Sequence, residues 1–195
     1  MALRLYTNAD ILGETKFHDA LNSAYRASDR QHLKHFLRFT WLLLWAVREP
    51  VMGAGDMYSA PENYVVYRGV GLDLGGDYAV GMEQTWHEFS STSESEGVAR
   101  GFIEVPALPH TLFEITLTTR RACRVWDFSQ YPGEREVLLP TGSRFRVTAV
   151  RQSHNGTAET RIDLLELPPY EAILEYGEFI PGVHRIVSVS DCSVY

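Results

Sequence analysis

Cysteine is almost absent from this chain of 195 residues: there are two, Cys123 and Cys192, too far apart to form a zinc-ligand pair. They read as free core thiols or as one bridge tying the C-terminal stretch to a strand, with free thiols favoured. Basic residues are also short. Lys and Arg number 18 against 25 Asp and Glu, for a formal charge of -7. That balance argues against a nucleic-acid footprint and an anionic membrane surface, while leaving room for a local pair of arginines to grip an anionic ligand. No apolar run approaches the roughly 20 residues of a bilayer span; the most apolar, Trp41 to Val47, reads as a buried helix. Met1 to Asn8 lacks the apolar core and small-residue cleavage site of a secretory signal. The expected location is therefore the cytoplasm, or a site reached by non-classical export such as delivery into a host cell. The seven His form no ligand-like pair. Their nearest approach, His32 and His35, reads as packing or surface, and no metal is expected.

What is present divides into a helical third and a strand-rich remainder. Phe17, Ala20, Leu21, Ala24 and Tyr25 recur at helical spacing, which predicts a helix from about Thr15 to Ala27. Ser28 to Gln31 offers a capping box for a second helix running to about Arg48, with Pro50 beyond it. Its stripe is Leu33, Phe36, Leu37, Thr40, Trp41, Leu44 and Trp45, and Leu42 and Leu43 make its second half apolar all round, so it is expected to be covered on both sides. After a connection from Val51 to Glu62 the period changes to that of strands. Strands are expected at Asn63–Val70, at the end of Glu83–Ser91, at Thr111–Thr119 and Ala122–Asp127, after Gly133, and at Arg144–Arg151 and Arg161–Leu167, with a short helix at Glu94–Ile103. Asn155-Gly156 supplies a hairpin turn between the last two strands. The expected architecture is α+β in a single domain over 1–195: a helical part over 15–50, a β-rich core over 63–167 and an unassigned tail over 168–195. The tail could add strands around Phe179 and Arg185 to Val189.

Three strand ends carry the chemistry. Tyr64-Val65-Val66-Tyr67-Arg68-Gly69 places an arginine beside a glycine that would let a ligand approach the backbone. Trp86-His87-Glu88-Phe89-Ser90-Ser91-Thr92-Ser93 brings hydroxyls to the end of another strand. Gly133-Glu134-Arg135-Glu136-Val137-Leu138-Leu139-Pro140 opens a buried strand with two carboxylates two residues apart, which on an extended segment share a face. A carboxylate at the mouth of a buried strand is costly unless something uses it; the alternative is an ordinary solvated Glu-Arg-Glu edge. Together these groups could grip a phosphate and stabilise a developing sugar cation. The glycines from Gly69 to Gly75 are not a dinucleotide fingerprint, because the last is misplaced and no βαβ unit surrounds them.

Tyr67-Arg68-Gly69, Ser91-Thr92-Ser93 and Glu134-Arg135-Glu136 before Val137-Leu138-Leu139-Pro140 resemble, in that order, the signature of the mono-ADP-ribosyltransferases of the cholera-toxin-like, R-S-E class, which includes vertebrate ecto-enzymes and bacterial toxins. The resemblance covers about Asn63 to Val150 and the helical third, with little before Thr15 or after Leu167. It implies a pair of antiparallel or mixed sheets forming an NAD-binding cleft, with NAD as co-substrate and no metal. Arg68 would hold the pyrophosphate, for which a planar guanidinium is suited. Ser91 would brace the catalytic carboxylate or the nicotinamide ribose, with Gly69, Thr92 and Ser93 supporting. Glu136 would stabilise the oxocarbenium-like state on cleavage of the nicotinamide–ribose bond. Glu134 matches the upstream Glu that accompanies arginine acceptors. Phe102 falls where the family packs an aromatic on nicotinamide, although core packing is as ready an explanation. Tyr131 lies in the acceptor-recognition loop. Arg120 and Arg121 could touch the adenosine phosphates or nothing. His87 and Glu88 depart from the family pattern by adding charge before Ser91.

The function implied is transfer of ADP-ribose from NAD to an arginine of an acceptor protein, with release of nicotinamide. Two alternatives stand beside it: an NAD glycohydrolase in which water is the acceptor, and a non-catalytic NAD-binding or interaction module. The intact Arg68, Ser91 and Glu136 argue against the last, since a binding module needs no carboxylate to stabilise a cation.

Overall fold

Strand period governs the chain from Tyr64 onward, and it folds into eight strands: β1 Tyr64–Val70, β2 Glu83–Trp86, β3 Ser90–Ser93, β4 His110–Leu117, β5 Cys123–Arg124, β6 Glu136–Leu139, β7 Ser143–Gln152 and β8 Glu159–Leu167. The computed structural model describes residues 2–7, 17–27, 30–48, 59–103, 108–152 and 158–169. Strand order is β2-β7-β8-β4-β1-β3-β6-β5, with β4 and β8 parallel and every other neighbouring pair antiparallel. The joint between β1 and β3 is a single residue pair, Tyr67 opposite Ser93. A five-stranded limb and a three-stranded limb therefore meet at one point, and the expected pair of sheets exists as two limbs of one hydrogen-bonded path.

Two cores explain the layering. Val66, Phe113, Ile115, Phe145 and Ile162 of the wide limb pack with Val137 and Leu139 of β6. On the other face of β6, Leu138 joins Leu3, Tyr6, Leu21, Leu43, Val47 and Phe89 in a second core shared with the helices. Alternation along β6 thus puts Glu136 on the helical side, with Leu138. The expected strand at Glu83–Ser91 is split, because β2 pairs with β7 and β3 with β6. His87 to Phe89 carry the chain between the limbs. Trp86 meets Phe113 edge-on and Phe145 at a tilt in the first core, and Phe89 meets Tyr6 and Tyr25 in the second.

The helices are α1 Ala2–Thr7, α2 Phe17–Arg26, α3 Leu37–Arg48 and α4 Glu96–Gly101, with a 3-10 turn at Arg30–His35 before α3. α1 was not expected; six residues are too few to display a helical period. The second predicted helix divides at Phe36, where a tighter turn brings Phe36 and Phe39 onto the ring of Phe17. Its buried face is Thr40, Leu43 and Val47, whereas Leu37, Trp41, Leu42 and Trp45 are exposed, Trp41 by 65%. The predicted stripe was thus rotated, and cover on both sides is not found among the described residues. A helix that is apolar all round offers periodicity no polar face from which to locate the buried one. β5 is far shorter than the strand expected at Ala122–Asp127, since the chain turns at Trp126. No helix among the described residues is long and apolar enough to cross a membrane.

Cys123 is buried with a free thiol, whose pKa burial pushes up to about 11. Cys192, the Ser28 cap, the Asn155-Gly156 turn and the possible strands in the tail lie outside the described residues.

Candidate active site

The register of β3 against β6 builds the centre of the site. Ser91 lies opposite Leu138 and Ser93 opposite Glu136, so the Ser91 hydroxyl reaches diagonally to Glu136 on the same face of the ladder. It donates to Glu136 Oε1 at 2.6 Å. Glu136 is only 8% exposed. Burial pushes its carboxyl pKa above the usual range, Glu134 adds to the rise, and the Ser91 hydrogen bond and Arg68 oppose it. Ser91 is engaged twice, because its carbonyl accepts from Arg68 Nη1 at 2.7 Å. Arginine, serine and carboxylate from three different strands thus form one continuous chain of hydrogen bonds.

Arg68 projects from β1 next to the joint between the limbs. Its guanidinium lies 5.9 Å from the Trp86 ring centroid and 4.0 Å from the Glu88 carboxylate, which also accepts from Arg26 of α2 at 2.9 Å. Burial lowers its pKa and Glu88 opposes the fall; a guanidinium remains protonated at neutral pH regardless. Glu88, which sequence comparison marks only as an odd charge, is the carboxylate between two arginines at the cleft.

Glu134 and Glu136 come together by another route than the one expected. Glu134 ends a 3-10 turn, Pro132–Glu134, and only Glu136 is on the strand. Arg135 between them has φ 48 and ψ 51, a left-handed conformation that costs a non-glycine residue about 1–2 kcal/mol. The same-face argument for an extended Glu-x-Glu therefore fails, yet both carboxylates line the same cleft. The hydroxyls that follow Ser91 hold the turn and the strand after it: Ser93 donates to the Glu134 carbonyl at 2.7 Å and Thr92 to the Val137 carbonyl of β6 at 2.6 Å.

The cleft has a volume of about 310 Å³, within the range of small-molecule sites. Arg68, Gly69, Ser91, Thr92, Phe102, Tyr131, Glu134 and Glu136 all line it. Ser93 does not, and its hydroxyl is engaged by the turn; Arg120 and Arg121 do not line it either. Phe102 caps the C-terminus of α4 and is 50% exposed, and Tyr131 precedes the 3-10 turn and is 55% exposed. Neither aromatic is core. Gly69 is required for a reason other than ligand approach: a Cβ there would fall 2.1 Å from the Ala99 carbonyl oxygen, so its absence lets α4 pack on β1.

The opposite wall was missed by sequence reasoning. It comprises Tyr6 and Thr7 of α1 and His18, Asp19, Asn22 and Arg26 of α2. The Tyr6 hydroxyl donates to the Phe89 carbonyl at 3.4 Å and accepts from Asn22 Nδ2 at 3.3 Å. Burial pushes the Tyr6 pKa well above its ordinary value, so the phenol stays neutral. Asn22 is buried on the inner face of α2, and its Oδ1 has no hydrogen-bond partner. An orphaned buried amide oxygen in a cleft is suited to a hydroxyl or amine supplied by a ligand. The available signal was an asparagine among the apolar positions of α2.

A paired set of limbs with an Arg–Ser–Glu chain at their junction, and a second carboxylate on the adjoining turn, has the form of an ADP-ribosyltransferase. The model for the family described as NAD:arginine ADP-ribosyltransferase matches residues 1–167, and the chain belongs to that family. The match reaches Met1, so the family likeness expected to begin at Thr15 includes α1 as well. Human ecto-ADP-ribosyltransferase 5 is 31% identical over 157 residues, covering 78% of this chain and 50% of that protein. The chain thus spans about half the length of that relative. Among solved structures, the ADP-ribosyltransferase Vis of Vibrio splendidus in complex with agmatine superposes with a TM-score of 0.62 at 23% identity, over 86% of this chain and 73% of that one. C3stau2 from S. aureus, solved with NAD, gives 0.59 at 18% identity, over 86% and 85%. At these identities the likeness is one of fold.

Proposed function

We propose that the protein transfers ADP-ribose from NAD to an arginine side chain of an acceptor protein and releases nicotinamide. The observation that carries this reading is the chain from Arg68 through Ser91 to Glu136, with Glu134 on the same cleft. Arg68 holds the pyrophosphate of NAD, where its planar fork can make charge-assisted hydrogen bonds. The helical wall, through Asn22 and Arg26, faces the bound dinucleotide from the other side. Phe102 packs against nicotinamide.

As the bond between nicotinamide and ribose breaks, its electron pair leaves with nicotinamide and positive charge develops on the ribose. The Glu136 carboxylate accepts a hydrogen bond from the ribose 2'-hydroxyl and stabilises that charge. Ser91 keeps the carboxylate ionised and aimed. An arginine acceptor is protonated and a poor nucleophile until a carboxylate orients it and removes a proton. Glu134 fills this role, while Tyr131 at the rim meets the acceptor. The family description and the agmatine complex of Vis support arginine as the acceptor. Water entering in place of the acceptor gives hydrolysis on the same machinery.

The test is to incubate the purified chain with NAD, with and without agmatine, and follow nicotinamide release together with the mass of agmatine. Nicotinamide release accompanied by ADP-ribosylated agmatine is expected. Nicotinamide without modified agmatine would overturn arginine transfer in favour of hydrolysis or another acceptor; no nicotinamide in either case would overturn the enzymatic reading.

A further inference from the structure

We infer that Glu94 and Arg135 are positioning residues that latch the turn carrying Glu134, and that they set how ADP-ribose is divided between an arginine acceptor and water. The inference rests on the arginine-transfer reading above and extends it to two residues outside the chain of groups that touch NAD.

The turn needs something to hold it. Arg135 occupies left-handed backbone space that arginine does not favour, and no strand ladder reaches Glu134. The Ser93 hydroxyl at the end of β3 holds the Glu134 carbonyl at 2.7 Å, and the further restraints come from the segment that follows β3. The Arg135 carbonyl accepts from the Glu94 backbone N–H at 3.2 Å, and Arg135 Nε donates to Glu94 Oε2 at 2.6 Å. The Arg135 guanidinium also lies 5.4 Å from the centroid of the Trp126 ring, within cation–π range. Glu94 is a firm anchor because its side chain is only 12% exposed and accepts a hydrogen bond from the Tyr64 hydroxyl at the start of β1. Through these contacts the turn is tied to the central strand of the site, although the Arg135 side chain itself is 60% exposed.

Why this controls the outcome of the reaction follows from where the two carboxylates sit. Glu136 is fixed by the β3–β6 ladder and by Ser91, so it keeps its place when the turn loosens. Glu134 lies off the strand, on the turn, and keeps its place only through the contacts that hold that turn. Hydrolysis needs Glu136, whereas transfer needs Glu136 and Glu134 together. Loosening the turn therefore separates the two reactions. With its Arg135 side mostly exposed, the ion pair adds little to global stability, so the effect is local.

The test uses full-length Arg135→Ala, Glu94→Gln and the double variant. It measures the ratio of ADP-ribosylagmatine to free ADP-ribose, nicotinamide release without agmatine, and amide hydrogen exchange over residues 131–136. A misplaced catalytic group commonly costs tenfold or more, so each single variant is expected to lower the ratio by about tenfold. The double variant should be no worse than either single, because the two residues act as one unit. Nicotinamide release without agmatine should stay within about threefold of wild type. Exchange should quicken over the turn and remain unchanged in β6. An unchanged ratio, additive losses in the double variant, or transfer and hydrolysis falling together would overturn the latch. If the wild type releases nicotinamide but never labels agmatine, the arginine reading falls on its own. Exchange then decides the latch: protection lost in both single variants supports it, and protection retained overturns it.

Discussion

The two walls of the cleft are built differently. On the sheet side Arg68, Ser91 and Glu136 stand on strands whose register is fixed by paired backbone, and their mutual hydrogen bonds are 2.6 and 2.7 Å long. On the helical side Tyr6 and Asn22 are placed by apolar packing on Phe89, Leu21 and Leu43, and their hydrogen bonds are 3.3 and 3.4 Å. On the first wall the charged groups are joined in one chain of short hydrogen bonds. On the second, Asp19 and Arg26 stand with a neutral phenol and an amide whose buried oxygen lacks a partner. A wall that must stabilise a developing cation gains from groups already aimed and desolvated; one that only has to hold a substrate can leave a polar atom waiting. The expected division is that variants of Ser91 and Glu136 on the sheet wall lose turnover and helical-wall variants lose affinity.

The severest trial of that division is Glu136→Gln. Removing the carboxylate while keeping its shape should lower NAD turnover by at least about 10²-fold, measured as nicotinamide release. Stability should move the other way. Burial raises the Glu136 pKa in the folded chain, so the stability available with the group protonated is full below its unfolded pKa and is lost as pH rises through the folded pKa. The variant escapes that loss. Its thermal midpoint should match wild type in acid and exceed it above the raised pKa. Turnover near wild type would remove Glu136 from the reaction.

A smaller effect is expected for Ser91→Ala, which removes the hydrogen bond that holds the Glu136 pKa down. The acid limb of kcat/KM for NAD should move to higher pH, and turnover at neutral pH should fall by about tenfold. Were the rate to fall with the limb in place, Ser91 would be acting on the ribose and not through Glu136.

The same contrast explains which parts of the molecule were legible in the sequence. Strand ends that carry Arg68, Ser91 and Glu136 could be read because period two sets a face locally, and a charge at the mouth of a buried run is conspicuous. The route by which Glu134 joins them could not be read. A left-handed arginine leaves no compositional trace, whereas a glycine at that position would have signalled a turn. Phe102 and Tyr131 could be placed near the cleft only through the family likeness, and their exposure is a tertiary fact. Asn22 was hidden because a helical stripe is read by its apolar members. The rotation of α3, which leaves Trp41 and Trp45 exposed, has a related cause: a helix without a polar face does not state its orientation. Glu88 stood out as a charge in an aromatic stretch, but its two arginine partners lie 62 and 20 positions away in the chain, on α2 and β1.

The finest test of the two-wall comparison is Asn22→Leu, a change that nearly keeps volume and removes both the orphaned oxygen and the donor to Tyr6. The Tyr6 hydroxyl retains the Phe89 carbonyl as its acceptor, so no new buried donor is stranded. Replacing a buried amide whose oxygen has no partner and whose one hydrogen bond is long (3.3 Å) with an apolar group of similar size is close to neutral or stabilising. The thermal midpoint should therefore hold or rise slightly. KM for NAD should increase about three- to tenfold with kcat little changed, the pattern of lost uniform binding. A fall in kcat at constant KM would place Asn22 with the reacting groups and dissolve the distinction between the walls; a lower midpoint with unchanged kinetics would make its amide a structural link between α1 and α2. Because the two outcomes fall in different measurements, one variant can decide whether the helical wall meets the substrate or only closes the core behind it.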